Sequence, residues 1–427
     1  MKQSPKNIWF ISKYCRLPSE ELNYVDVFQL KGSYPARAFS ILRYLVREGH
    51  DCTLFVARHE YKIFNTKKIP SQEIKYIHGV RVVILNVIPY VKVQSISRII
   101  GWIQFEFKLL LFKVKQLPKP DCIIASSLSI FSILNGFIFR HRFKSKLIFE
   151  VRDIWPLVLI ENGGFSRFNP FVYFLGLIEW LGYKYSDKIV ATMPNLDEHV
   201  ESILGYPKKV ECIPMGISEE LLEESSIEIP EHIAKSMPKD KFIVSYVGSI
   251  GVDNALDSFF RTIRMLKNNQ EIVFKVFGQG DLLAHYQSAC SDLENVSFEG
   301  YIPNTMVQSA LKKSSILYFA THPTIVLNYG QSLNKIIDYM YSGRPIVASH
   351  SGYQSMINEA ECGFFVPAND DQRLYDEIIR LSKISKDELT IIGEKGSSWL
   401  HSNRKYKTLA LNYEKIINDL FSQDFTQ

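Results

Sequence analysis

The sequence has little that announces a metal, a disulfide framework or a membrane span. Its six cysteines (Cys15, Cys52, Cys122, Cys212, Cys290 and Cys362) form no Cys-x-x-Cys pair. That pattern indicates neither zinc nor disulfides and reads as reduced thiols of a cytosolic protein. None of the ten histidines stands at metal-ligand spacing from another, and there is no Asp-x-Asp motif. The loop after the first strand lacks Gly-x-Gly-x-x-Gly, which disfavours a dinucleotide site. There is no internal repeat of short period and no low-complexity tract. The longest apolar run, Ile123–Phe139, has 17 residues that include four Ser, an Asn and a Gly, so it reads as a buried strand and a packed helix rather than a span. Met1–Ile11 has too short an apolar core for a signal peptide, and no small-residue cleavage site.

What is present is a long, aromatic, unevenly charged chain. Its 427 residues exceed one typical core, so two domains are expected. Hydrophobic content of 46% with 22% charged residues is that of a soluble globular protein, and 28 Phe and 22 Tyr suit deep cores or a surface that meets lipid. The net charge of +5 conceals a split: residues 1–205 carry 28 Lys+Arg against 17 Asp+Glu, and the remainder 22 against 28. A basic first half beside a mildly acidic second half points to an anionic partner for the first, whether lipid, phosphorylated acceptor or nucleic acid.

Periodicity gives an α/β chain with two series of strands. The first runs through Asn7–Ile11, an amphipathic helix over Ala36–Arg47, then Cys52–Val56, Val80–Leu85, Cys122–Ala125, Lys146–Val151, Lys188–Thr192 and Val210–Ile213. Between the third and fourth strands, Ser97–Gln116 mixes Trp102, Phe105 and Phe112 with Lys108, Lys113 and Lys115. This fits a core-facing helix with a basic solvated side or, more sharply, a monotopic membrane contact, which Phe137–Lys146 and Phe171–Tyr185 would extend. Arg152-Asp153-Ile154-Trp155-Pro156 follows a buried strand, where ligands bind in open α/β sheets. The second series begins at Phe242–Val247. Its strands end in Gly-containing turns at Gly248–Gly251, Gly278–Gly280 and Gly330 onward, whose backbone amides could converge on one anion. Tyr329–Ala348 reads as loop, helix, stop and strand, and a helix N-terminus there suits a diphosphate.

These residues resemble a known family. YVGSIG, FKVFGQGD, NVSFEGYIP, SLNKIIDYMYSGRPIVAS and GFFVPANDD are similar to the donor domain of family 4 glycosyltransferases. FEVRDIWP, YSDKIVATMPN and IPMGI resemble the first domain and linker of a subgroup, carrying Arg-Asp-x-Trp-Pro, that builds bacterial surface polysaccharides. The resemblance spans roughly Ile8–Phe421. It implies a GT-B fold of two Rossmann-like domains facing across a cleft, the first over 1–208 completed by a crossing helix within 405–427, the second over 209–404. It also implies retaining transfer from a nucleotide-sugar, of UDP type, with no metal and no cofactor, the leaving phosphate helping to deprotonate the acceptor hydroxyl.

On that resemblance the donor side comprises Gly32, Ser33, Gly248, Ser249, Gly278, Gly280, Ser332, Asn334, Lys335 and Asp338, with Tyr301 and Ile302 packing on the base. Lys335 would face the diphosphate and Asp338 the ribose. Gly330 stands where the family often places a sugar-holding glutamate. Asp153 would orient the acceptor hydroxyl, and Arg152 would hold an acceptor phosphate or pair with Asp153. The expected partners are the nucleotide-sugar, a polyprenyl-diphosphate-linked glycan and the anionic inner face of the cell membrane, with no nucleic acid. The alternatives are a UDP-sugar 2-epimerase of the same fold and a non-catalytic nucleic-acid-binding protein.

Overall fold

The computed structural model describes residues 4–15, 17–18, 36–58, 70–88, 96–218, 227–331 and 333–422. The chain forms two compact units, one of residues 1–220 with 405–427 and the other of 221–404. The boundary falls later than the expected 208/209, because Val210–Cys212 pairs in parallel with Lys188–Ala191 as the last strand of the first sheet.

The first sheet has eight strands: β1 Asn7–Ile11, β2 Asp51–Arg58, β3 Gln72–Ile77, β4 Val80–Asn86, β5 Cys122–Ser126, β6 Lys146–Val151, β7 Lys188–Ala191 and β8 Val210–Cys212. Their order is β3-β4-β2-β1-β5-β6-β7-β8, parallel except for the β3–β4 hairpin. The hairpin was not foreseen. Its turn is His78-Gly79, both at positive φ (47° and 81°), the two-residue geometry that matches strand twist. Gln72–Ile77 is a polar edge strand with three exposed residues, so it lacks the apolar run that betrays the others.

Side chains alternate across this sheet. Ile8, Phe10, Leu54 and Ile124 pack with the Arg37–Arg47 helix and the C-terminal helix Tyr406–Ser422. Trp9 points the other way, edge-on to Phe55, Phe139 and Phe143 with ring centroids 5.2–5.6 Å apart. That face is covered by helices Ile96–Leu111, Ser132–Phe143 and Pro170–Tyr185. The first of these is shorter than the expected Ser97–Gln116, ending at Leu111 before a separate turn at Val114–Gln116.

A buried polar node ties the C-terminal helix to this unit. Arg37 donates to Glu150 Oε2 (3.1 Å) and to the Pro214 carbonyl (2.6 Å), while Tyr413 donates to the same Glu150 oxygen at 3.0 Å. Arg37 and Glu150 are 0% and 1% exposed. Ile217 and Lys405 form a parallel bridge beside it, so the chain re-enters the unit it left.

The second sheet contains β9 Phe242–Val247, β10 Ile272–Phe277, β11 Val296–Gly300, β12 Ile316–Ala320, β13 Ile346–Ser349 and β14 Gly363–Val366. It is wholly parallel in the order β11-β10-β9-β12-β13-β14. The direction of build reverses between β9 and β12, the switch point at which open α/β sheets bind ligands.

If the node holds the C-terminal helix, Tyr413→Phe should cost about 1 kcal/mol of unfolding free energy, one hydrogen bond. Arg37→Met should cost about 3–5 kcal/mol because it strands a buried carboxylate. Urea unfolding of the two variants measures both, and equal small effects would show that the pair is not stabilising.

Candidate functional site

The switch point of the second sheet is crossed by the helix Asn334–Tyr341. Tyr339, buried on that helix, donates to the Val247 carbonyl (3.0 Å) and accepts from the Val247 N–H (2.8 Å), latching the helix to the carboxyl end of β9. Four residues earlier on the same face lies Lys335. Its ammonium donates to Tyr246 Oη at 3.2 Å and to Asn254 Oδ1, and lies 4.9 Å from the Tyr246 ring centroid. Tyr246 in turn donates to the Ser249 carbonyl at 2.5 Å, which ties the Gly248–Ser249 turn to the cation. No carboxylate pairs with Lys335 among the described residues. Burial pushes its pKa down to about 8, with no opposing charge to restore it.

The glycine turns act differently from expectation. Gly248 N–H donates to the Phe277 carbonyl and Gly278 N–H to the Gly300 carbonyl, so these two amides serve the framework and do not converge on an anion. Gly278 has φ +141°, and a Cβ there would lie 1.8 Å from the Gly248 carbonyl oxygen. A Cβ at Gly280 would likewise lie 2.3 Å from the Ile250 oxygen. The two turns are pressed backbone to backbone, and glycine is what permits it. At Gly248 a Cβ would approach Lys335 Nζ to 3.3 Å, crowding the ammonium.

Other groups line the same edge. His322, after β12, is 2.6 Å from the Val252 carbonyl through Nε2. Thr321 Oγ1 lies 2.8 Å from His350 Nδ1, and His350 Nε2 lies 3.1 Å from the Tyr353 carbonyl. A carbonyl only accepts, so Nε2 carries the proton and Nδ1 accepts from Thr321. Burial holds His350 below the ordinary imidazole pKa, in keeping with a neutral ring. Tyr301 is exposed just beyond β11, whereas Ile302 is buried at 6% and fits the core better than a ligand face. Asn334 is exposed in the first helical turn. Asp338 is half-buried, its carbonyl accepting from Gln308 Nε2 at 3.0 Å. Gly32, Ser33 and Ser332 lie outside the described residues.

In the first unit, Arg152 and Asp153 are half-buried at the carboxyl end of β6. Ser127, after the neighbouring β5, organises their turn. Its hydroxyl accepts from Arg152 N–H (2.8 Å) and Asp153 N–H (3.1 Å), and its carbonyl accepts from Trp155 Nε1 (2.9 Å). The anticipated Arg152–Asp153 ion pair is absent among the described residues; the guanidinium instead lies 3.7 Å from Met215 Sδ. Ser127, Tyr246, Asn254 and His322 escaped the sequence reading. Only Ser127, in a polar Ser-Ser ending to an apolar strand, left a trace there.

Should Lys335 face a diphosphate, UDP must bind the ammonium form. Affinity should be flat below about pH 8 and fall by up to about tenfold per unit above it. Lys335→Met should weaken UDP by at least about tenfold and flatten the profile. Titration calorimetry across the range checks both, and an unchanged profile in the variant would remove Lys335 from the site.

Residues 36–221 match the family model described as Glycosyltransferase Family 4, and residues 241–383 match that of the group 1 glycosyl transferases. No curated protein sequence matches the chain. Among solved structures, a sucrose-phosphate synthase from Thermosynechococcus elongatus superposes with a TM-score of 0.70 at 14% identity, covering 98% of this chain and 100% of that one. The E. coli trehalose-6-phosphate protein bound with UDP-2-fluoro glucose gives 0.70 at 12% identity, covering 97% and 98%. Anabaena Alr3699/HepE in complex with UDP and glucose gives 0.62 at 12%, covering 97% and 99%. On a GT-B fold the chain therefore carries a first stretch that matches the Glycosyltransferase Family 4 model and a second that matches the group 1 glycosyl transferase model.

Proposed function

We propose that the protein is a retaining glycosyltransferase that moves a sugar from a UDP-sugar to a polyprenyl-diphosphate-linked glycan. Such a reaction belongs to the synthesis of a bacterial capsule, O-antigen or exopolysaccharide. The observation that carries the donor half is Lys335, a largely buried cation with no carboxylate partner among the described residues, at the switch point of a parallel sheet. A buried ammonium left with neutral partners is costly unless an anion completes it. In the reaction the bond from the anomeric carbon to the diphosphate breaks and the acceptor oxygen bonds that carbon on the same face. The hydroxyl proton passes to the leaving phosphate, and Lys335 meets the charge that develops there. Asp338 is assigned to the ribose, and Asp153 to orienting the acceptor hydroxyl with Arg152 near its phosphate. Lys335 takes the place of a divalent cation in this scheme, so chelation by EDTA leaves the rate unchanged.

The first unit supports a membrane-borne acceptor. Helices Ile96–Leu111, Ser132–Phe143 and Pro170–Tyr185 are neighbours on one face. They leave Ile100, Ile103, Phe107, Leu111, Ile138, Tyr173, Phe174 and Leu177 exposed, Leu111 at 77%. A patch this apolar on a monomer marks an interaction surface. Its rim is basic on balance: an open cleft of about 750 Å³ is lined by Arg140, His141, Lys144 and Lys146 with Phe137 and Tyr185, against one carboxylate, Asp187, which pairs with Arg140 at 2.9 Å. Apolar area with cationic edges suits an anionic lipid surface, and no helix among the described residues is long and apolar enough to cross a membrane. We place the protein at the inner face of the cell membrane on these grounds.

Incubation with a panel of UDP-sugars and lipid-linked acceptors, read by mass spectrometry, should show a glycosylated lipid. Asp153→Asn should lower that rate by about a hundredfold with UDP affinity intact. Isomerised nucleotide-sugar without acceptor would establish the epimerase reading instead.

Cosedimentation should show binding to phosphatidylglycerol-containing vesicles that salt weakens, and little to phosphatidylcholine alone. The double change Phe107→Ser with Leu111→Ser should reduce it by about tenfold or more. Tighter binding to RNA or DNA than to these vesicles would revive the nucleic-acid alternative.

A further inference from the structure

Gln331 lies three residues before the Asn334–Tyr341 helix and is 8% exposed. Neither its Oε1 nor its Nε2 has a hydrogen-bond partner among the described residues. A buried amide with both ends unpaired forfeits its solvation and gains nothing for the fold. A methionine of similar shape would fill the same space without that cost. With no partner among the described residues, the amide is open to a ligand that would pair with it.

Three features say what kind. Gly330, immediately before it, has φ +114° and ψ 174°, a conformation open to glycine and closed to a residue with a side chain. Gly330 N–H donates to the Leu327 carbonyl at 3.2 Å, so the Gln331 backbone leaves a fixed turn at the carboxyl edge of β12. Next, Lys335 stands four residues on, a second polar group with no charged partner among the described residues. Two such groups on one short segment point to one ligand that is anionic at one place and hydrogen-bonding at another. Finally, the order along the chain is Gln331, Lys335, Asp338. From Lys335 to Asp338 is about one helical turn, roughly 5 Å. A nucleotide-sugar with its diphosphate at Lys335 and its ribose toward Asp338 has its sugar on the Gln331 side.

We propose that Gln331 is a specificity-determining residue that hydrogen-bonds the sugar ring of the donor. Its Oε1 accepts from a ring hydroxyl and its Nε2 donates to a hydroxyl or acetamido oxygen. The assignment rests on the nucleotide-sugar reading above. An uncharged amide at this place answers a substituent that both gives and takes a hydrogen bond, and it does not repel a ring that carries a carboxylate.

The test is Gln331→Met, with three measurements on the whole protein: the thermal midpoint without ligand, the Kd for UDP, and the Kd for the tightest-binding member of a panel of UDP-hexoses, UDP-N-acetylhexosamines and UDP-uronates. The expected result is a midpoint equal to or above the wild type, an unchanged Kd for UDP and a Kd for the UDP-sugar raised about tenfold. A lowered midpoint or loss of fold would make Gln331 structural and overturn the assignment. Equal weakening of UDP and UDP-sugar would place it at the diphosphate or nucleoside and overturn it too, as would unchanged affinity for both. A wild type that binds no UDP overturns the nucleotide-sugar reading itself, and this assignment with it.

Discussion

Parallel strands decide most of this structure. A parallel pair cannot be closed by a hairpin, so each return crosses the sheet face as a helix and every strand ends at the same edge. In the second unit that edge collects the ends of β9, β10, β11 and β12, contributed by segments up to about eighty residues apart, together with the start of the Asn334–Tyr341 helix. Where build direction reverses, between β9 and β12, the crossovers leave on opposite faces and a crevice opens. The first sheet obeys the same rule, with β1 and β5 at its reversal and Ser127 and Arg152 at adjoining strand ends.

Within that frame, buried charges differ in whether the fold itself supplies their counter-charge. Arg37 and Glu150 are fully buried, but each has the other, with Tyr413 and the Pro214 carbonyl satisfying further hydrogen bonds. Glu179 is treated similarly, held between His199 (2.8 Å) and Tyr183 (3.0 Å). Lys335 has, among the described residues, a phenol and an amide oxygen and no carboxylate. Neutral acceptors recover part of an ammonium's lost hydration and none of its charge, which is why its pKa falls to about 8 instead of holding. Lys275, buried at 6% exposure, is by contrast paired with Glu299 at 3.2 Å.

The legible parts of the sequence were those with local causes. Lys146–Val151 and Phe242–Val247 are buried on both faces, so their largely apolar runs, interrupted only by Glu150 and Ser245, marked the strands and their ends. Gln72–Ile77 is an edge strand with solvent on it, and its alternation of polar residues carried no such mark. The site divides in the same way. Lys335 and Asp338 could be named from a short motif, but the partners that give Lys335 its character, Tyr246 and Asn254, come from another strand and another turn more than eighty residues away. Gln331 was passed over because burial of a loop residue is a property of the folded edge and leaves no periodicity behind.

The glycine turns show how a correct location can conceal a different cause. Amides of Gly248 and Gly278 are spent on neighbouring carbonyls, and glycine is required there because two backbones meet closer than a Cβ allows. The consequence is mechanical rather than electrostatic. Turns clamped by Ile250 N–H to the Gln279 carbonyl and Leu282 N–H to the Ile250 carbonyl cannot shift independently. Tyr246, whose hydroxyl is fixed to Ser249 on one of those turns, therefore presents a fixed acceptor to Lys335. On the proposed donor reading, an ammonium held in place before its anion arrives loses little entropy on binding and has its charge aimed where a leaving diphosphate would gather it. On that reading glycine contributes to the chemistry through the rigidity of what surrounds the lysine.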